Sequence, residues 1–168
     1  MTKKILLAAL ILLVLGGIAF FYPGESDETF TLQKEAELLV IFEEQRISVS
    51  FDDILALEQY EVQQEGEGLD PDYAGVTHRG VKLVDLFTSL DIPLDEINQV
   101  ITRSLDGYTV AFFPDEVLDE EKVYLVYAIN GEPLSPMEEG GSGPYRIAVS
   151  DDIFRQRWNK NIAELEIR

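Results

Sequence analysis

Residues 127–149 read YAINGEPLSPMEEGGSGPYRIAV, and this stretch decides the fold. It begins as the tail of VYLVYAI (123–129), the most strand-like run in the chain, rich in β-branched and aromatic residues. Asn130-Gly131, the commonest tight-turn dipeptide, ends that run. A glycine-rich turn follows at Gly140 to Gly143, and Tyr145 to Val149 returns as a further strand. Arg146, at the start of that strand, is a cation inside an apolar run.

The flanking elements are short. LLVIF (38–42) and RISVS (46–50) read as two strands. Ser50 is placed as a helix N-cap, with Asp53 in the first turn and Ile54, Leu55 and Leu57 as the apolar side. Tyr60 to Gln64 alternates as a strand does. EGEGLDPDYAG (65–75) is broken by Gly66, Gly68, Pro71 and Gly75, and reads as a loop. Asp70 and Asp72 within it lack the further oxygens of a calcium loop and read as a solvated turn. A second helix is expected from Gly80, carried by Val81, Leu83, Val84 and Phe87, and ending near Leu90 because Pro93 disfavours helix at Ile92. Val100 to Thr102, Tyr108 to Phe113 and Ile162 to Ile167 complete the strands, with Asp106-Gly107 as a turn. Short strands and few helices, without a regular βαβ rhythm, predict an α+β fold with a mixed sheet.

Composition narrows the chemistry. The 168 residues contain no cysteine, which excludes disulfides, iron–sulfur clusters, thiolate zinc sites and cysteine nucleophiles. The lone histidine, His78, gives no support to a histidine-rich metal site or a Ser–His–Asp relay. No P-loop, GxSxG or GxGxxG is present. Among 32 acidic residues, a catalytic carboxylate pair cannot be told from background. Removing the two leader lysines from 13 basic residues leaves 11 against those 32, a balance of −21 over the rest of the chain. Such a field repels nucleic acid phosphates and anionic headgroups; it suits solubility, cations or a basic protein partner.

Lys3 and Lys4 precede an uncharged run from Ile5 to Phe21. As a helix it would span roughly 25 Å, near the lower limit for crossing a bilayer. The positive flank points the rest of the chain outward. Residues 1–22 therefore read as a membrane anchor, or as a signal peptide cut after Ala19; bulky Phe20, Phe21 and Tyr22 continue the run past that cut and favour the anchor. Residues 23–29 form a polar tether and residues 30–168 a domain.

Four segments in order resemble the sulfite-oxidase-like oxidoreductase molybdopterin-binding domain family. HRGVKLVDLF (78–87) resembles its "GV.L.DLL" segment, and RSLDGYTVAFF (103–113) its "S.DGY" strand. YAINGEPLSPMEEGGSGPYRIAV resembles its "NGEPL….GGP.R" core, and RWNKNIAELEI (157–167) its closing "KWVK.I.EIE" strand. The resemblance implies that Tyr108 takes the place of an active-site tyrosine, and that Arg146 and Arg157 take the places of pterin-contacting cations. It also implies that the backbone N–H groups of Gly140, Gly141 and Gly143 are available to a phosphate. Against this, the family ligates molybdenum with a cysteine thiolate, which would fall near Glu65 to Asp70, where this chain reads EGEGLD. Carboxylates and carbonyls are hard ligands and do not replace a thiolate. The turn GGSGP is also longer than the family's GGP. Three functions stay open: a membrane-tethered, extracytoplasmic binding or accessory module without molybdenum chemistry, an oxidoreductase holding molybdopterin through the pterin alone, and an acidic partner domain of a membrane complex.

Overall fold

The computed structural model describes residues 29–63, 75–150 and 157–168. The expected anchor and most of the tether, the Asp70/Asp72 turn and the Glu65–Asp70 segment lie outside them. Among the described residues no helix is long and apolar enough to cross a membrane.

Among the described residues ten strands form two five-stranded sheets. The first sheet contains β1 (Leu38–Phe42), β2 (Gln45–Val49), β5 (Val100–Ser104), β6 (Thr109–Phe112) and β10 (Ile162–Ile167), in the order β2-β1-β10-β5-β6. β1 and β10 are parallel and the other pairs antiparallel, so this sheet is mixed. The second contains β3 (Tyr60–Gln63), β4 (Thr77–Lys82), β7 (Val123–Ile129), β8 (Glu132–Pro133) and β9 (Arg146–Val149), all antiparallel. The α+β expectation stands, but the strands divide between two sheets where one was expected.

The second sheet is built around β7. Its residues 123–128 are all buried, as expected of a central strand covered on both faces. Tyr127 packs edge-on against Phe30 and Phe51, with ring centroids 5.6 and 5.1 Å away, and its hydroxyl donates to Gln59 Oε1 at 2.7 Å. Phe30 leads into α1 (Thr31–Glu35) and Phe51 opens α2 (Phe51–Leu55). Gln59 in turn donates to the carbonyls of Ile54 and Leu57, near the end of α2. One aromatic ring, that of Tyr127, thus fixes two short helices, neither long enough to be stable alone, on the central strand.

The second helix is shorter than its periodicity suggested. Gly80, Val81 and Lys82 belong to β4, and α3 runs over Leu83–Ser89. The apolar spacing of Val81, Leu83, Val84 and Phe87 fits a helix, but Val81 is buried from β4 and the other three from α3. The pairing of β4 with β7 overrides the local period. Its register shifts between Arg79 and Gly80, where the two backbones come close.

Ser50 caps α2 as the sequence indicates. Its Oγ accepts from the Asp53 amide at 3.2 Å, and Asp53 Oδ2 accepts from the Ser50 amide at 2.9 Å. The hydrogen bonds from Ser50 hold the Asp53 carboxyl below its ordinary value near 3.8. Because the folded value is depressed, this stabilisation is complete above the ordinary value and is lost as pH falls through the folded one. Ser50→Ala is expected to destabilise the domain by about 1 kcal/mol at neutral pH. Urea unfolding at neutral and acid pH checks this: the gap between wild type and variant should shrink in acid.

Candidate functional site

Residues 157–161, RWNKN, lie between the tip of the β5–β6 hairpin and the glycine turn that precedes β9. Asn159 joins the two sheets. Its amide nitrogen donates to Thr102 Oγ1 on β5 at 3.1 Å, its Oδ1 accepts from Ser104 Oγ, and its carbonyl accepts from the Ile147 amide on β9 at 2.8 Å. Asn161 does the same for the two loops. Its Nδ2 donates to the Gly143 carbonyl at 2.8 Å and to the Gly141 carbonyl at 3.3 Å. Its backbone carbonyl accepts from the Leu105 amide at 2.9 Å. The Asn161 backbone is left-handed, φ 55°, which asparagine tolerates better than most residues.

Trp158 sits at the centre of this segment and is buried. The Arg146 guanidinium carbon is 5.4 Å from its ring centroid, and the His78 ring lies edge-on at 5.1 Å. Such cation–π and edge contacts favour a buried arginine against an aromatic face. Trp158 Nε1 is buried and donates no hydrogen bond among the described residues. On the outer side, Trp158 lines a recess of about 260 Å³ together with Ser104, Asp106, Tyr108, Asn159, Lys160 and Asn161.

The residues singled out by sequence are brought together only in part. Tyr108 lies at the mouth of the recess and is half exposed. Arg146 is buried against Trp158. Arg157 belongs to a different neighbourhood: its Nη2 is 2.6 Å from Glu116 Oε1, and its guanidinium lies 4.9 Å from the Phe112 ring. Burial raises the Glu116 pKa, but the Phe113 amide and Arg157 outweigh it, so the carboxyl is held below its ordinary range and the pair persists into mild acid. Arg103 is likewise committed, to Glu164 at 2.9 Å and to Glu166.

The glycine turn also departs from expectation. The Gly140, Gly141 and Gly143 amides donate to the carbonyls of Met137, Pro136 and Ser135, at 2.9, 2.9 and 2.8 Å. These three N–H groups close the turn on itself and are not presented to a phosphate. A Cβ at Gly141 would come within 2.1 Å of the Ser135 carbonyl oxygen, so the glycine there serves a close backbone approach. The turn is anchored from behind by Gln33, whose Nε2 donates to the Leu134 and Pro144 carbonyls, and by Tyr145, whose hydroxyl donates to the Gln33 carbonyl.

Sequence reasoning missed Trp158, Asn159, Asn161, His78 and Ser104. The available signal was the single tryptophan followed by two asparagines around Lys160, a polar run in a segment that then turns strand-like. The partners of these residues are remote in the chain, so nothing local reveals them.

The sequence matches no family model and no curated protein. The crystal structure of the sulfane dehydrogenase SoxCD from Paracoccus pantotrophus superimposes on this chain with a TM-score of 0.60 and 18% identity. The likeness is one of fold. It covers 80% of this chain and 38% of that one, so this chain spans well under half of the larger protein. The distant resemblance to an oxidoreductase fold therefore holds in three dimensions.

The described residues do not fit a molybdopterin group. No thiolate is available anywhere in the chain. The three glycine amides, Arg103 and Arg157 are all engaged within the protein. The recess is also smaller than the range of about 300–1,000 Å³ usual for ligand pockets. Among the described residues, no group of three or more histidine, aspartate or glutamate side chains is placed to hold a metal ion.

Proposed function

We propose that this chain is a non-catalytic binding or accessory module on an oxidoreductase fold, tethered to the outer face of a membrane by residues 1–22. One observation carries the reading: the Trp158–Asn161 segment ties the Tyr108 hairpin to the glycine turn and leaves beside it a recess of only about 260 Å³. The side-chain amides of Asn159 and Asn161 donate within the protein itself. Asn159 and Asn161 bind β5, β9 and both loops, which gives the site a structural role. The absence of cysteine from the sequence points the same way, since the family's chemistry needs a soft ligand. The tether rests on the sequence of residues 1–22 alone.

The test is elemental analysis with pterin fluorescence on natively expressed full chain. Neither molybdenum nor pterin is expected above trace. Stoichiometric amounts of both would replace this reading with that of an oxidoreductase that holds its cofactor through the pterin. In that case Arg146→Ala should release the cofactor.

A further inference from the structure

The described residues include five large hydrophobic side chains exposed to solvent, and three of them sit within nine residues of the chain. Leu105 is 57% exposed, Tyr108 51% and Phe113 62%. They flank β6, which is an edge strand among the described residues. The hydrogen bond from the Ser104 amide to the Tyr108 carbonyl, with Thr102 opposite Val110 and Val100 opposite Phe112, fixes the alternation of the ladder. Thr109 and Ala111 then occupy the non-hydrogen-bonded positions opposite Arg103 and Ile101, so their N–H and C=O groups point away from β5. Both residues are exposed. The next outward amide, that of Phe113, is capped by Glu116 Oε2 at 3.0 Å, so the open edge ends there.

Sheet edges usually carry a device against pairing, such as a charge, a proline or a bulge. β2, at the other edge of the same sheet, exposes Gln45, Arg46 and Ser48. In the second sheet, β3 exposes Glu61 and Gln63, and β8 ends in Pro133. β6 has none of these: it offers Thr109 and Ala111 between apolar flanks. Acidic side chains adjoin it in the chain at both ends, Asp106 before it and Asp115 after it, both exposed.

We propose that β6 is a docking edge for an extended, basic segment of a partner protein. The segment adds a sixth strand to the first sheet through Thr109 and Ala111. Its apolar side chains pack on Leu105, Tyr108 and Phe113, and its lysines or arginines face the acidic flanks. The charge also argues against a second copy of this chain as the occupant. A two-fold axis pairing β6 with its copy would set Asp106 of one chain beside Asp115 of the other, twice, with like charges opposed. Main-chain bonds would supply affinity and the alternate side chains specificity, as in other strand-addition complexes. This extends the accessory reading above, but it does not depend on what the metal analysis finds.

The experiment uses the full chain in mild detergent and a short fluorescein-labelled peptide alternating lysine and valine, read by anisotropy. Binding is expected, weakening as salt is raised. A peptide N-methylated along one edge, which keeps the charge but lacks the donors, should bind at least about tenfold more weakly. Ala111→Pro removes an outward N–H at a position where edge strands tolerate proline, and Phe113→Ser removes an exposed flank. Each should lower affinity at least about tenfold while leaving the melting temperature unchanged. Amide exchange at Thr109 and Ala111 should slow when the peptide is added. Equal binding of the N-methylated peptide, or unchanged affinity in both variants, would reduce the effect to charge attraction and overturn the proposal. Protection of Thr109 and Ala111 in a concentration-dependent dimer without peptide would overturn it in favour of self-pairing.

Discussion

Gly80→Ala is expected to destabilise the domain by about 3 kcal/mol, at the upper end of what overpacking a core costs. Gly80 lies in β4 where the register to β7 shifts. A Cβ there would stand 2.1 Å from the Leu125 carbonyl oxygen and 2.8 Å from the Val126 Cα. Both atoms are backbone, so no side chain can swing aside to relieve the clash. The strand opposite is β7, buried over residues 123–128, with Leu125 and Val126 fully enclosed. The substitution must therefore either push β4 away from β7 or break the ladder near the bulge. For a domain of this size the melting temperature should fall by roughly 10 °C. Thermal and urea unfolding check this, and a variant as stable as wild type would mean that the two strands do not approach so closely. Trp158 packs against His78, two residues before Gly80 in β4, so a shift in its emission in the folded variant would report displacement of β4.

Asn161→Ala should have an effect of similar size through different physics. The side chain satisfies two backbone carbonyls, those of Gly141 and Gly143, and the residue adopts φ 55°. Alanine leaves both carbonyls without that donor, at about 1–3 kcal/mol, and adds about 1 kcal/mol of left-handed strain. Together this predicts a loss of about 3 kcal/mol. Asn161→Gly should recover the backbone part and leave the hydrogen-bond part, so its loss should be smaller. Trp158 is the only tryptophan in the chain and lies three residues away, which makes its fluorescence a local report. Loosening of the Asn161 clamp should shift its emission to the red in the alanine variant. An alanine variant with unchanged stability and emission would show that the glycine turn and the Trp158 segment are held by other contacts.

Much of the fold was legible in the chain because much of it is local. The strands at Leu38–Phe42, Val123–Ile129 and Ile162–Ile167 follow from runs of β-formers, and the Ser50 cap follows from a serine placed three residues before an aspartate. Asn130-Gly131 turns as its type demands, with both residues at positive φ. The β4 strand was hidden because Val81, Leu83, Val84 and Phe87 satisfy a helical period across a strand–helix junction. The division into two sheets was hidden for another reason. Strand content is a property of short windows, but which strand pairs with which depends on contacts far apart in sequence, such as β1 with β10.

The candidate site divides in the same way. Tyr108 and Arg146 were marked by their motifs, and the structure places both around Trp158. Arg157 and the glycine turn were marked by the same motifs, but Arg157 pairs with Glu116 and the three glycine amides donate to the carbonyls of Met137, Pro136 and Ser135. Whether a donor is available to a ligand is not written in residue type, since it depends on what else lies within hydrogen-bond reach. By itself the sequence determined the α+β class, the apolar run at residues 5–21, the acidic charge and the absence of a thiolate, because these are sums or local patterns. Only the tertiary structure decided that Trp158, Asn159 and Asn161 lie between hairpin and turn, and that β6 is an edge strand among the described residues, because both follow from segments distant in the chain meeting in space.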